Sequence, residues 1–189
     1  SNRPLSVCFS FIYTAAVFLW CGDNRAARQV LEKLMAHPNW HALPSMHATA
    51  FALLGALQIR EGKVDRGIGL VRSAVASLRS DRQNLYLAAA VGTLAKGLAA
   101  TGHVEEALSV VEGALAEAGE GSEMSHFPEL VRIQAEILLA LAQPDEARAE
   151  AAIERSLSAA RRQAALSWEL RTSMTLTRLR SKQGRGREG

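Results

Sequence analysis

The sequence predicts an all-α fold, a right-handed superhelix of about nine helices arranged as antiparallel hairpins. Alanine and leucine dominate the 189 residues, and aromatic residues make up only 5%. Apolar residues recur at helical spacing and seldom alternate with polar ones over the length of a strand, which favours helices. Short breaks, most of them with Gly or Pro, separate the helical stretches at regular intervals, which is typical of helical repeats.

The first half of the chain is predicted to form four helices. Their predicted ranges are 5–21, 25–36, 45–60 and 64–79. Asn24 and Ser45 are suitable N-caps for the second and third helices. Gly67 and Gly69 lie inside the fourth, where each weakens helix formation by up to about 1 kcal/mol relative to Ala. Close packing of a neighbouring helix would explain why these glycines are present.

The second half is predicted to form five more helices. Their predicted ranges are 82–100, 104–118, 126–141, 144–162 and 166–182. Residues 119–125 (GEGSEMS) form a predicted flexible linker, and Pro128 follows in the first turn of a helix, where its missing N–H costs little. Asp145 and Glu146 favour the start of the eighth helix through the helix dipole. We expect residues 1–183 to form a single domain and residues 184–189 a disordered tail.

The breaks follow a period of about 40 residues. Turn positions recur at Gly22, Gly62, Gly102, Ala142 and Gly184. Small residues recur five positions after and seven positions before these turns, where they would let two helices approach closely. They are Ala27, Gly67, Ala107, Ala147 and Gly189 after the turns, and Ala15, Gly55, Ala95, Ala135 and Thr177 before them. The pattern resembles about 4.5 tetratricopeptide repeats, which stack into a superhelix with a concave wall because one hairpin cannot bury its apolar face alone.

The cysteines and the first apolar run indicate a cytoplasmic protein. Cys8 and Cys21 lie on one predicted helix, roughly 20 Å apart at 1.5 Å per residue, whereas a disulfide needs Cα atoms within about 7 Å. We therefore expect two buried thiols in a reducing compartment. The apolar run 7–21 is shorter than the about 20 residues of a membrane span and predicts a buried first helix. Ser1-Asn2 resembles a cleavage scar, and the fifth hairpin lacks a second helix, so we expect a fragment of a larger protein.

The charge is mild overall but uneven along the chain. The net charge is +3, yet residues 161–189 carry eight Lys or Arg against two Glu, a net +6, and the first 160 residues carry −3. A basic end could favour nucleic acid or an acidic partner. The simpler interpretation is a solubilised last helix followed by a frayed tail.

The sequence predicts no catalytic residue, no cofactor and no metal. Gly62-Lys63 is followed by Val64 where a phosphate loop needs Ser or Thr, and the GxGxxG letters of residues 184–189 follow no strand. Three histidines near Trp40 could in principle bind zinc, but no local Cys or carboxylate joins them, and packing near Trp40 is the simpler interpretation. They are His37, His41 and His47. We therefore expect the chain not to be an enzyme.

The candidate binding site is the concave groove, which the first helix of each hairpin should line. Its charged residues would be Arg60, Lys96, Glu129, Arg132, Glu136, Arg171 and Arg178. Glu129 and Glu136 also share a helical face with Arg132, at the spacings of i, i+3 and i, i+4 ion pairs. The predicted wall changes from apolar at its N-terminal end to basic at its C-terminal end, where an acidic peptide could bind. A solvated groove without a ligand is the alternative.

Three stretches resemble the C-terminal repeat region of large bacterial predicted ATPases. The most specific, RRQAALSWELRTSMTLTRLRSKQGR at residues 161–185, is similar to the family string RRQGALSWELRAATSLARLWRDQGR, with Ala165 in place of a usual Gly. The others begin at Arg3 (RPLSVCFSFIYTAAVFLWCGD) and at Phe127 (FPELVRIQAEILLAL). In this family, a winged-helix or nucleotide-cyclase domain precedes a STAND-type ATPase module, and tetratricopeptide-like repeats follow.

The resemblance implies a non-catalytic interaction or sensory module of a bacterial signalling or transcription-regulating ATPase. Such a module would bind a protein, a peptide or the ATPase domain of its own parent, and any ATPase or cyclase activity would lie outside this chain. One alternative is a structural repeat that mediates self-association, with a homodimer formed through exposed terminal helices. Nucleic-acid binding through the basic C-terminal helix is a second alternative.

Overall fold

The computed structural model describes residues 4–38, 40, 44–80, 84–119 and 126–184, and within them it contains nine α-helices and no strand. The helices are α1 (Pro4–Cys21), α2 (Asn24–Met35), α3 (Pro44–Arg60), α4 (Val64–Ser80), α5 (Asn84–Ala100), α6 (Val104–Ala118), α7 (Phe127–Leu138), α8 (Glu146–Arg162) and α9 (Leu166–Lys182). The predicted all-helical repeat fold is confirmed. Three predicted features lie outside the described residues. They are the linker after Gly119, the loop residue His41 and the tail after Gly184.

The chain divides into two compact units, Ser1–Gly97 and Leu98–Gly189; a single domain over residues 1–183 stays a prediction. In the first unit, α1 packs against α2, α3 packs against α4, and α3 also contacts both α1 and α2. The buried core around α1 to α3 is apolar, as the amphipathic pattern of α2 requires. Its largest members are Ile12, Leu19, Leu31, Leu34, Trp40 and Leu57.

In the second unit, α7 packs against α6 and α8, and α9 contacts both α7 and α8. Ten of the twelve residues of α7 are buried, which makes α7 the central helix of this unit. The largest fully buried side chains of the unit are Phe127, Leu130, Leu138, Ile153 and Val111. The guanidinium of Arg155 lies 5.0 Å from the centre of the Phe127 ring, in the range of a cation–π contact.

Three turns have the same structure and explain the 40-residue period. Gly22, Gly62 and Gly102 have φ angles of 81°, 81° and 84°, a left-handed conformation that glycine adopts without the steric cost a Cβ brings. In each turn the residue after the glycine donates its N–H to a carbonyl five residues back, as in a Schellman motif. These bonds are Asp23 to Phe18, Lys63 to Gln58 and His103 to Leu98, each 2.9 Å long.

Small residues allow α3 and α4 to approach backbone to backbone. A Cβ built on Gly67 would lie 2.7 Å from the carbonyl oxygen of Gly55, and a Cβ on Gly55 would lie 2.8 Å from that of Gly67. These distances are shorter than any real Cβ contact, so only glycine fits at either position. Gly69 differs, since a Cβ there would meet nothing within 4 Å, and close packing does not explain its presence.

The fourth turn departs from the predicted register. Helix α7 ends at Leu138 rather than near residue 141, and α8 begins at Glu146 after Asp145, whose carboxylate accepts the Arg148 N–H at 3.0 Å. The small buried residue four positions after this cap is Ala149, whereas the predicted Ala147 is exposed. Pro144 disfavours helical conformation in Gln143, the residue before it, but nothing in the structure explains why α7 already ends at Leu138.

Four smaller predictions are also corrected. The side chain that caps α2 belongs to Asp23 rather than Asn24, and it accepts the Ala26 N–H at 2.9 Å. Both cysteines are free, but only Cys8 is buried, while Cys21 is exposed. The residue with positive φ between α8 and α9 is Ala164, at 50°, so the turn position that favours glycine is Ala164 and not Ala165. Thr177, predicted to be a packing residue, is exposed.

Candidate partner-binding site

Arg132 lies inside an ion-pair network between α7 and α9. Its Nε and Nη2 donate to the two oxygens of Glu129 at 2.7 and 2.9 Å, and its Nη1 contacts Glu136 and donates to Thr175 Oγ1 at 3.2 Å. The predicted ion pairs of α7 are therefore confirmed. Burial alone would lower the pKa of Arg132, but the carboxylates of Glu129 and Glu136 outweigh it, so the pKa is raised and the guanidinium stays charged.

The same network reaches α9 through Arg171. Arg171 Nη2 lies 2.8 Å from Glu129 Oε1, and its guanidinium lies 5.7 Å from the centre of the Trp168 ring. Glu129 and Arg132 retain only 8% and 4% of their accessible surface. The structure thus brings Glu129, Arg132, Glu136 and Arg171 together, but it uses them to join two helices. Glu129 and Arg132 expose almost no surface to a partner, which counting along α7 did not reveal.

Buried hydroxyl groups tie α9 to the unit from a second side. Ser156 Oγ donates to the Pro128 carbonyl at 2.7 Å, and the Thr172 hydroxyl lies 2.8 Å from both Ser156 Oγ and the Trp168 carbonyl oxygen, to either of which it can donate its one proton. A buried hydrogen-bond network whose members are satisfied fixes helices in one arrangement. The inner face of α9 is therefore held firmly, and its outer face is presented on a rigid support.

The other three predicted groove residues are described separately, each within its own unit. Arg60 donates a hydrogen bond to the carbonyl of Leu19, which links the end of α3 to the end of α1. Lys96 is an exposed residue of α5 in the first unit, and Arg178 is an exposed residue of α9 in the second. A single groove that contains all seven predicted residues stays a prediction.

The outer face of α9 carries a row of exposed apolar side chains. Leu166, Leu170 and Met174 expose 76%, 64% and 48% of their surface. Their spacing of four residues places them on one side of the helix, whereas Thr172 and Leu179 on the opposite side are buried. We refer to these three residues as the α9 row. The sequence predicted Met174 to lie on the groove wall but did not single out Leu166 or Leu170.

Helix α1 has an exposed apolar surface as well. Phe9, Tyr13, Val17 and Trp20 are all exposed, and α1 contains no charged residue. The Tyr13 ring lies 6.0 Å from the ring of Tyr86 in the same unit, so this surface is partly occupied by the chain itself.

His47 packs against Trp40. The rings of His47 and Trp40 are 4.0 Å apart between centres, and His47 Nε2 lies 3.0 Å from the Trp40 carbonyl oxygen. Over the residues that the structure describes, which leave out His41, no three His, Cys, Asp or Glu side chains are grouped as metal ligands. Within the same residues, no helix has both the length and the apolar character needed to cross a membrane.

Comparison of the sequence with protein-family models gives no match, and comparison with curated proteins gives none either. The resemblance to bacterial predicted ATPases therefore remains an expectation from the residues that carry it.

Proposed function

We propose that this chain is a non-catalytic interaction module that binds a protein or peptide partner through the α9 row. The observation that carries the proposal is the exposure of Leu166, Leu170 and Met174 on a helix whose opposite face is fixed by buried contacts. Contiguous exposed apolar side chains on a stable support are characteristic of protein interaction sites. In this proposal the module acts in the cytoplasm as part of a bacterial signalling or transcription-regulating ATPase.

The energetic gain available at the α9 row supports this role. Complete burial of a Leu or Met side chain contributes about 1.5–3 kcal/mol. Scaled by the exposed fractions of the three residues, their coverage would contribute roughly 3–6 kcal/mol. Such a gain suits a reversible contact, which could shift a parent ATPase between resting and active states if the partner prefers one of them.

The test compares the native chain with the double variant Leu170→Glu, Met174→Glu as immobilised baits in a bacterial lysate. Retained proteins are quantified by mass spectrometry. We expect at least one protein to be retained by the native chain and lost by the double variant. The matched control is Ser73→Glu, Ser77→Glu, which adds the same charges at two exposed positions four residues apart on α4. Equal retention by all three baits would contradict the proposal.

Self-association is a second candidate, favoured by the exposed surface of α1. Tyr13 and Val17 lie four residues apart on this uncharged helix, and a second copy could cover them. Light scattering after size-exclusion chromatography would then show a dimer that the variant Val17→Glu dissociates. A monomer at every concentration tested would exclude this candidate and leave the partner-binding proposal standing.

A further inference from the structure

We infer that a cleft between α6 and α8 binds a free α-amino acid with an apolar side chain. The cleft has a volume of about 380 Å³, within the range of small-molecule sites in proteins. Its walls belong to α6 and α8 of the second unit, and α7 contributes one polar side chain. The lining residues are Glu112, Leu115, Ala116, Gly119, Gln134 and Arg155. This cleft is separate from the α9 row, and its ligand does not depend on the partner proposed there.

Glu112 of α6 is the acidic group of the cleft. Its Oε1 accepts hydrogen bonds from Arg148 Nη2 at 2.5 Å and from Gln134 Nε2 at 3.4 Å. These bonds hold the carboxylate between α6, α7 and α8. In the part of the chain that the structure describes, both bonds end on Oε1, whereas a carboxylate can accept at both of its oxygens. Glu112 can therefore accept a further hydrogen bond, through Oε2, from a positively charged donor in the cleft.

Arg155 of α8 is the basic group of the cleft. Its guanidinium lies 5.0 Å from the centre of the Phe127 ring, and Phe127 is fully buried, so the cation is held against a fixed support. Among the described residues, no carboxylate forms an ion pair with Arg155. A guanidinium can donate two parallel hydrogen bonds to one carboxylate. Arg155 is thus a positioned cation that can bind the carboxylate of a ligand.

The end of α6 determines the orientation of such a ligand. Gly119, with a φ of 77°, follows the last residue of α6 and lines the cleft. The last carbonyls of a helix carry partial negative charge, which stabilises a cation beside them and disfavours an anion. An ammonium group is therefore favoured on the α6 side, next to Glu112, and a carboxylate on the α8 side, next to Arg155.

Charge and size together define the class of ligand. A molecule with one ammonium and one carboxylate group pairs with Glu112 and Arg155 at once, whereas a simple amine or a simple carboxylate leaves one of them unused. Leu115 and Ala116 add apolar surface to the same cleft, which favours an apolar side chain. An α-amino acid carries these three features on one carbon atom. A helix, about 10–12 Å wide with its side chains, is too large for this volume.

The experiment titrates the whole chain with L-phenylalanine and follows backbone and side-chain amide signals by two-dimensional NMR. We expect the backbone signals of Ala116 and Gly119 and the side-chain signal of Gln134 to shift together. The dissociation constant should be on the order of 1 mM, as suits a ligand with so few atoms.

Two derivatives of the ligand each remove one charge. N-acetyl-L-phenylalanine lacks the ammonium group and L-phenylalaninamide lacks the carboxylate, and each should bind at least about tenfold more weakly than phenylalanine. The derivatives also imitate the two ends of a peptide. If either one binds as tightly as phenylalanine, the cleft accepts a peptide end and the inference is wrong.

Chain variants assign the two charges. Arg155→Gln should remove the advantage of phenylalanine over phenylalaninamide, and Glu112→Gln should remove its advantage over the N-acetyl derivative. The matched controls are Arg162→Gln and Glu105→Gln, at exposed positions seven residues away on the same two helices and outside the cleft lining. Both controls should bind phenylalanine as the native chain does. Ala116→Phe should block the cleft without changing its charge, and the amide spectrum of each variant shows whether it is folded.

Three results would overturn the inference. The first is that phenylalanine shifts no signal at concentrations up to about 20 mM. The second is that the shifted signals lie away from α6 and α8. The third is that the control variants weaken binding as much as Arg155→Gln or Glu112→Gln, because surface charge would then attract the ligand without a site. None of these results bears on the α9 row, which is tested separately by Leu170→Glu, Met174→Glu.

Discussion

Replacement of Gly67 by Ala tests the close approach of α3 and α4. A Cβ at this position would lie 2.7 Å from the Gly55 carbonyl oxygen, 2.9 Å from the Ile59 backbone nitrogen and 2.6 Å from Ile59 Cγ1. Two of these three atoms belong to the backbone and cannot move by a change of rotamer. The two helices would have to separate, which would loosen the contacts between them along their length.

The expected loss follows from two opposing effects. Ala is favoured over Gly inside a helix by up to about 1 kcal/mol, whereas forcing an extra carbon into a packed interior costs about 1–3 kcal/mol, and sometimes more. The upper end applies here because the obstructing atoms are backbone atoms. We therefore expect Gly67→Ala to lower the free energy of unfolding of the first unit by about 2 kcal/mol.

Gly69→Ala is the matched control, two residues away on the same helix and with no atom within 4 Å of a new Cβ. It should raise stability by up to about 1 kcal/mol. The two variants should therefore differ by about 3 kcal/mol, or roughly 12–24 °C in melting temperature for a unit of this size. Both changes are Gly to Ala in α4, so the difference isolates the effect of the neighbouring helix.

The assay is urea unfolding monitored by the fluorescence of Trp40, which is buried in the first unit. Trp20→Phe and Trp168→Phe in the background remove the other two tryptophan signals. A shift of the urea midpoint without a change of slope reports stability alone. If Gly67→Ala proves as stable as Gly69→Ala, the backbone contact of α3 and α4 does not exist and the proposed reason for this glycine is refuted.

Three further predictions concern the second unit and are measured by urea unfolding with Trp168 fluorescence. Arg132→Met should destabilise it by about 3 kcal/mol, because Glu129 is left buried without its main partner, whereas the exposed Arg180→Met should change little; equal effects would contradict the ion-pair network. Burial lowers the pKa of His126, with Glu129 partly opposing it. His126 therefore takes up a proton at a higher pH in the unfolded chain, near its ordinary pKa of 6.5, than in the folded chain. As the pH decreases below 6.5, the free energy of unfolding should decrease by up to about 1.4 kcal/mol per pH unit, and above pH 6.5 it should stay level. His126→Gln should remove that slope, and a slope that persists would assign it to other groups. Ala164→Gly should add about 0.5–1 kcal/mol, because φ at Ala164 is 50° and left-handed backbone costs a Cβ residue energy; the neighbouring Ala165→Gly, at negative φ, should instead destabilise.

The helices were predictable because their signals are local. The predicted ranges of α6 and α9 agree with the structure at both ends. The start of α6 after the Gly102 turn and the end of α9 at Lys182 are both set by residues close by in the sequence. Gly67 was recognisable as a packing residue because a glycine inside a helix needs a compensating reason. The same reasoning was wrong for Gly69, where only the position of the neighbouring helix distinguishes one glycine from the other.

The candidate site was less predictable because it depends on which helix packs on which face. The sequence placed Arg132 on an exposed wall, but α9 covers that side of α7 and turns the arginine into an interior residue. Leu170 and Met174 are exposed because they lie on the side of α9 opposite its buried residues, which packs against neither α7 nor α8. Counting back from Gly184 by ten and fourteen residues finds both, so the repeat register contained this signal.

The connections between helices differ in length, and this difference determines where the chain tolerates insertions and deletions. At Gly22, Gly62 and Gly102 a closed hydrogen-bonded turn joins the helices directly, so one added residue would turn the following helix by about 100° and move its small packing residues out of contact. The connection between Leu138 and Glu146 already contains additional residues, yet Asp145 caps α8 and Ala149 is buried four residues later. An inserted residue there would lengthen the connection before the Asp145 cap and leave the packing of α8 unchanged. We expect single-residue insertions to be accommodated between Leu139 and Pro144 and to disrupt folding next to Gly62, which sets the places where such a repeat can vary in length through evolution.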